Sequence, residues 1–337
     1  MSPVHGIPGF FDYEASVVVR EPQAAGEGWW AGAPGAFYDA EDDCFYLTYR
    51  YRRPRGEEPD RGAETRLAKS EDGIEFEDLA VLPKARFDSP SIERGALHRA
   101  DDGTWLWYVS YVDGEDGRWR IDLLDASRPD AFDPADRRPL FLAPELGVEG
   151  VKDPWVLRAG PVWYMLISYA TRPAAEASDD EMHGSADIYN TGLTRSCSAL
   201  ATSLDGRRWQ WQGDIMHPVR EGAWDSYATR LGCLLCHPGG WLGFYDGSAS
   251  VEGNYEERTG LAVSGDLFLW RSLTPGGPAL ASPHASGSLR YVDVVSDGVE
   301  RFFYFESARP DGSHELRVVW HPEAEATVEE ERPDGQL

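Results

Sequence analysis

One aromatic strand pattern recurs five times along this chain. Short runs of aromatic and aliphatic residues begin at Phe45, Trp105, Trp163, Trp241 and Phe302, each just after a turn. Successive starts are 60, 58, 78 and 61 residues apart. Self-similarity at a fixed step means that one structural unit is stacked repeatedly, because a single unit cannot bury its own apolar faces. The long step contains TRPAAEASDDEMHGSADIYNTG, a polar and acidic stretch that reads as a loop inserted into the third repeat.

Two further elements accompany the aromatic strand. A strand closed by a turn and an aromatic residue occurs as Leu67…Asp72-Gly73…Phe76 and Leu200…Asp205-Gly206…Trp209, with a looser copy at Leu261…Asp266-Leu267…Trp270. The Asp-Gly turn supplies the positive φ that a tight reversal needs, and the aromatic pins the outer strand. Ahead of each aromatic strand lies a run of small or apolar residues, at 33–38, 91–97, 152–157, 225–231 and 289–294. An inner strand, an aromatic strand, a third strand and an edge strand in roughly 60 residues is the size of a propeller blade. The expected fold is therefore all-β: a single five-bladed β-propeller domain over 1–337, with four-stranded antiparallel blades around a central channel. The blades fall at approximately 30–85, 86–145, 146–218, 219–282 and 283–325. Residues 16–20 and 315–319 are expected to pair and close the ring, and no convincing helix is seen.

Composition narrows the partners. Net charge is −26, with Lys almost absent and Arg supplying the cations. An acidic surface repels nucleic acid and anionic membranes. The acidity reads as a property of the whole surface rather than a functional patch. The N-terminal MSPVHGIPGFFDYEAS has no basic region followed by an apolar run, and no stretch approaches the roughly 20 apolar residues of a membrane span. The expectation is a soluble, cytoplasmic protein. Cys233 and Cys236 have CxxC spacing inside an apolar run with no second pair; with Cys44 and Cys197 they read as buried strand thiols, not a metal or redox site. His98, His217, His237 and His284 show no ligand spacing and read as loop or surface residues, so no metal site is assigned.

The inner strands of a propeller start around one channel mouth, the default ligand site. Charges collect there: Glu93 and Arg94, Lys152 and Asp153, Asp225 and Arg230, Arg290 and Asp293. Buried charges are paired or functional, so a structural ring of ion pairs is the alternative to a binding site. Trp30, Trp155, Trp224 and Tyr227 lie near the same strand starts, as does Trp29. Aromatic faces beside carboxylates suit sugar rings.

At this point the chain resembles the five-bladed glycoside hydrolases, the group holding families 43, 32, 62, 68, 117 and 130. The most specific feature is Lys152-Asp153-Pro154-Trp155-Val156 followed by Trp163-Tyr164-Met165, similar to that group's Asp-Pro strand leading into an aromatic strand. The resemblance implies that Asp153 orients the general acid and tunes its pKa. Ser91-Ile92-Glu93 resembles the second-blade strand, and Trp224-Asp225-Ser226 falls where these enzymes carry a fourth-blade acid, normally Glu. One position departs: the first-blade Asp that serves family 43 as base or nucleophile is matched by Ala33-Pro34. Asp39, Asp42 and Asp43 are near it but are expected on the hairpin turn, pointing away.

The resemblance implies hydrolysis of a glycosidic bond by two carboxyls, roughly 6.5–9.5 Å apart in inverting enzymes. Glu93, Asp153 and Asp225 are the expected catalytic trio, with acid and base unassigned among them. Arg94, Lys152, Arg230 and Arg290 point to an anionic group in the substrate, a uronic carboxylate or a phosphate. Trp30, Trp155, Trp224, Tyr227 and Asp293 complete the expected substrate-binding set. The expected partner is a small or terminal carbohydrate. No organic cofactor is expected, although some propeller glycosidases carry a channel cation such as calcium. Two alternatives remain: a phosphorylase that uses phosphate, as the basic residues of family 130 suggest, and a non-catalytic sugar-binding propeller, as Ala33 suggests.

Overall fold

A computed structural model describes residues 11–237 and 239–323. The N-terminal reading of residues 1–10 and the far end of the fifth expected blade lie outside the described residues. A first strand, β1 (Val17–Arg20), is followed by β2 (Trp30–Asp39), β3 (Cys44–Arg53), β4 (Arg61–Ser70) and β5 (Glu77–Pro83), which pair in order as antiparallel neighbours. The same meander repeats as β6 (Ile92–Arg99), β7 (Trp105–Val112), β8 (Trp119–Ala126) and β9 (Arg138–Phe141). It repeats again as β10 (Gly150–Ala159), β11 (Val162–Ala170), β12 (Ser196–Ser203) and β13 (Trp209–Met216). A further copy comprises β14 (Ala228–His237), β15 (Gly240–Ser248), β16 (Arg258–Ser264) and the two-residue β17 (Arg271–Ser272). The last copy is β18 (Leu289–Ser296), β19 (Glu300–Ala308) and β20 (His314–Pro322), whose outer neighbour is β1.

That last pairing is the closure expected from the sequence, with Val17 opposite Val318 and Arg20 opposite Leu316. The chain's beginning thus supplies the edge strand of its final unit. Consecutive units touch in one recurring way. The start of a third strand meets the start of the next inner strand, as Ser196 does Ala228, Arg258 does Leu289, and His314 does Trp30. At the join between the first two units, Gly62 N donates to Ser91 Oγ at 3.2 Å. A Cβ on Gly62 would stand 1.8 Å from the Ile92 carbonyl oxygen, so only glycine permits that approach. The architecture is all-β and many-stranded, as a propeller is.

The aromatic strands are the second strand of each unit, covered by neighbouring sheets on both faces. Every residue of β7 is buried, which is why it reads as a continuous apolar run and not an alternating one. The predicted turns form as expected. Gly73 and Gly206 adopt φ of +72° and +69°, and Asp72 and Asp205 each cap two following backbone N–H groups through one carboxylate oxygen. The looser copy puts Leu267 at +71° in the same place. Trp209 and Trp270 pin their strands by donating to the carbonyls of Gly206 and Leu267 at 2.9 Å.

Three expectations are corrected. The inserted loop is partly helical: α1 (Ala143–Leu146) precedes it, and α2 (Asp179–His183) within it carries a Ser178–Glu181 capping box. Among the thiols Cys236 is exposed, because residues three apart on a strand face opposite sides while Cys233 points inward. His98 is not a loop residue; it sits in β6 between the rings of Phe37 and Trp163 and contacts the Val156 carbonyl at 2.9 Å. Among the described residues no helix is long and apolar enough to cross a membrane.

Candidate active site

Each inner strand carries one extra residue relative to its aromatic partner, a β-bulge at an equivalent position. The first bulged residues are Ala33, Glu93, Asp153, Leu231 and Tyr291. Their steps are 60, 60, 78 and 60 residues, a tighter repeat than the aromatic strands show. Ala33, Asp153 and Tyr291 sit there at φ of +52°, +56° and +53°, a strained region for residues with a side chain. A bulge re-aims a side chain out of the sheet alternation. Here it turns Glu93 and Tyr291 toward a small central void with room for about one water.

Glu93 is buried, with Arg50 Nε donating to its Oε2 at 2.6 Å and the Tyr291 hydroxyl donating to the same oxygen at 3.4 Å. Burial alone would raise its pKa. The charges of Arg50 and Lys152, with the Arg50 hydrogen bond, outweigh that and hold it at about 2. Glu93 is therefore ionised at any working pH. Asp153 is equally buried, 3.4 Å from Lys152 Nζ, and neither of its oxygens accepts a hydrogen bond from a described residue. Burial pushes the Tyr291 phenol well above its ordinary value, and the Asp153 and Glu93 charges push it further, so it stays protonated.

The third expected carboxylate is elsewhere. Asp225 precedes β14, whose first residue is Ala228, and it lies six residues upstream of the bulged Leu231. It accepts from the Tyr245 hydroxyl at 2.8 Å and, like Asp153, does not line the void. Its neighbour Trp224 is likewise a packing residue, stacked on Tyr245 at 5.6 Å and donating to the Thr274 carbonyl at 2.7 Å. Trp155 donates to Asp293 at 2.7 Å, and Asp293 also pairs with Arg94 at 2.8 Å. Arg94 reaches on to the Gly232 carbonyl at 2.6 Å. These three residues lock strands together and leave the void to others. Arg94 and Asp293 stand one and two places past the first bulged residue of their strands.

Lys152, Arg230 and Arg290 do line the void, as expected. Arg230 pairs with Glu257, and Arg290 with Glu257 and Glu306 at 2.5 and 2.8 Å. The ion-pair ring weighed against a binding site is therefore real for Arg94, Arg230 and Arg290. Lys152 faces the rings of Trp119 and Tyr189 at 5.1 and 5.0 Å, and burial lowers its pKa. Trp30 stacks on His314 at 4.6 Å and carries Arg52 over its ring at 4.3 Å. Tyr227 works at one remove, donating to the Tyr189 carbonyl at 2.8 Å and anchoring the inserted segment.

Several residues of this region escaped the sequence reading. Arg50, Asp246 and Glu306 stand on aromatic strands opposite the residues that precede the bulges, each directly after its aromatic run; that position was a usable signal. Arg52, Arg61, Asp187, Asn190, Tyr255 and Glu257 line the void and come from places in the sequence that carried none. An open groove of about 460 Å³ bordered by Trp30, Arg52, Arg55, Tyr255 and Glu256 meets the void at Arg52 and Tyr255. Among the described residues no cluster of three or more His, Cys, Asp or Glu could hold a metal ion.

No protein-family model and no curated protein matches the chain. Solved structures do. One described as a glycoside hydrolase aligns over 95% of both chains at 13% identity with a TM-score of 0.66. A thermostable family-43 glycoside hydrolase aligns over 90% of this chain and 92% of its own at 14% identity and 0.57. A protein of the GH130 family of mannoside phosphorylases, said to contain glycoside hydrolases that target β-1,2 mannosidic linkages in Candida mannan, aligns over 94% and 90% at 14% and 0.57. The chain thus has the fold of solved glycoside hydrolases of the family-43 and GH130 type.

Proposed function

We propose that the five units are the blades of one five-bladed β-propeller domain, and that it hydrolyses the glycosidic bond of a terminal sugar bearing an anionic group. The observation that carries this reading is the pair Glu93 and Asp153, two buried carboxyls delivered by equivalent bulges of consecutive units. Glycoside hydrolysis needs one ionised and one proton-donating carboxyl. Glu93, held ionised by Arg50, suits the base or charge-stabilising role. Asp153 is the second carboxyl of the pair, 3.4 Å from Lys152 Nζ. Asp225 has no part, and the missing first-unit carboxylate at Ala33 is not replaced by one from the hairpin. Asp39, Asp42 and Asp43 instead engage Arg99, Tyr46 and Tyr38 there.

The anionic preference rests on Arg52. Among the described residues no carboxylate lies within ion-pair distance of it, and it is sandwiched between Trp30 and Tyr255 at 4.3 and 4.5 Å. The same cation favours one second reading, a phosphorylase that holds phosphate. A panel of aryl glycosides, neutral and uronic, assayed with and without phosphate, tests both. Turnover of uronides without phosphate is expected and is lost in Asp153→Asn. Turnover only with phosphate selects the phosphorylase. No turnover on the whole panel leaves a sugar-binding propeller.

A further inference from the structure

The inserted segment of the third unit closes the mouth, and it does so with a carboxylate. Asp187, which follows α2, is buried. Its Oδ2 accepts from Arg55 Nη2 at 2.9 Å and from the Tyr255 hydroxyl, and lies 3.9 Å from Arg61 Nη2. Asn190 donates to Oδ1 at 3.1 Å. Asp187, Arg61, Arg52 and Tyr255 all line the void. Arg55 and Tyr255 also border the outer groove. The carboxylate therefore sits at the junction of groove and void, inside a cluster of three arginines that come from a different unit.

The rest of the segment is tied mainly to neutral groups. Tyr189 donates to the Gly150 and Ser168 carbonyls at 3.1 and 3.2 Å, and its own carbonyl accepts from Asn254 at 3.0 Å. Arg61 also donates to the Ala186 carbonyl at 2.7 Å. Asp179 and His183 contact Arg118 and Glu149, and at the void the charged contacts converge on one side chain, Asp187. With it in place the void holds about one water, too little for a sugar.

We infer that Arg52, Arg55, Arg61 and the Tyr255 hydroxyl form a carboxylate subsite, and that Asp187 is its tethered occupant, displaced when the carboxylate of a uronic-type sugar enters from the groove. This rests on the anionic reading above and assigns it a place. A planar carboxylate matches what the cluster already holds: one guanidinium, one phenol and a second cation nearby. Displacement exchanges one carboxylate for another, so half-exposed Arg55 and buried Arg61 keep an anion beside them. A neutral sugar offers no such exchange and leaves the segment closed.

The test is binding, measured by calorimetry with D-glucuronate, inorganic phosphate and D-glucose on the full chain. Removing the occupant's charge in Asp187→Asn is expected to tighten glucuronate by about tenfold or more, with glucose unchanged. Adding Arg52→Met to that variant is expected to abolish the gain. Should Asp187→Asn unfold, Asn190→Ala, which removes a bond holding Asp187 and none of the subsite donors, is expected to tighten glucuronate in the same direction. Unchanged or weaker glucuronate binding in both variants overturns the inference, and an equal gain for phosphate overturns the assignment to carboxylate. The hydrolase reading fails separately: tighter glucuronate binding with no turnover sinks that reading and leaves the subsite standing, while turnover of neutral glycosides without glucuronate binding does the reverse.

Discussion

Arg50, on the aromatic strand of the first unit, holds Glu93, at the bulge of the second, with its Nε 2.6 Å from the carboxylate. Its Nη2 lies 3.3 Å from Glu306 of the fifth unit. One buried guanidinium thus joins three units, and with Lys152 it keeps Glu93 ionised.

Arg50→Met should therefore destabilise the protein by about 3–5 kcal/mol in urea unfolding at pH 7, because buried Glu93 loses its partner while Glu306 keeps Arg290. The pH dependence has a definite sign. The folded pKa of Glu93, about 2, lies below its ordinary 4.5, so its contribution is present above 4.5 and lost as pH falls toward 2. In Arg50→Met that acid-side loss should shrink.

Asp153→Asn and Asp225→Asn should part company. The first should lower kcat by about 10²–10⁴-fold and also cost stability, since it leaves the buried Lys152 without its carboxylate. The second weakens the bond from Tyr245 and should cost about 1 kcal/mol of stability while leaving kcat within a few-fold. Equal kcat losses in both variants would return Asp225 to the site.

Asp246 offers a test on the alkaline side. Burial, only partly countered by Arg230 and by the Tyr291 backbone N–H at 3.1 Å, raises its pKa from 3.8 to about 6. A raised carboxyl contributes stability below 3.8 and loses it as pH rises through 6. Asp246→Asn should match wild type near pH 4 and exceed it at pH 8, by up to about 3 kcal/mol. Melting curves across that range would settle it, and parallel curves would refute it.

His98 acts on the acid side. Burial lowers its pKa from 6.5 to about 4, so the folded state keeps it neutral. Its contribution is present above 6.5 and is lost as pH falls from there to 4. Wild type should lose stability over that window more steeply than His98→Gln, with chemical denaturation at pH 7 and pH 4.5 as the measurement.

The repeat and its closing strand were legible in the sequence because they are local. An aromatic run, an Asp-Gly turn and a complementary pair of end segments depend on neighbours a few residues away, on strand periodicity and on turn chemistry. Glu93, Asp153, Lys152 and Trp30 were legible for the same reason, since each begins or interrupts an inner strand. The reading failed at Asp225, where a strand was started three residues early. With a side-chain period of two, such an offset is enough to misplace a residue entirely.

What the sequence alone determined is the ladder of units, read from five aromatic strands 60, 58, 78 and 61 residues apart. Only the tertiary structure decided which charges are neutralised. Arg94 meets Asp293 across 199 residues, Arg50 meets Glu93 and Glu306, and Asp187 of the inserted segment reaches Arg55 of the first unit. Those pairings exist because the chain curls until distant units share one centre, where burial strengthens every electrostatic contact and makes each unpaired charge costly. Strand patterns carry no record of which partner will be waiting there.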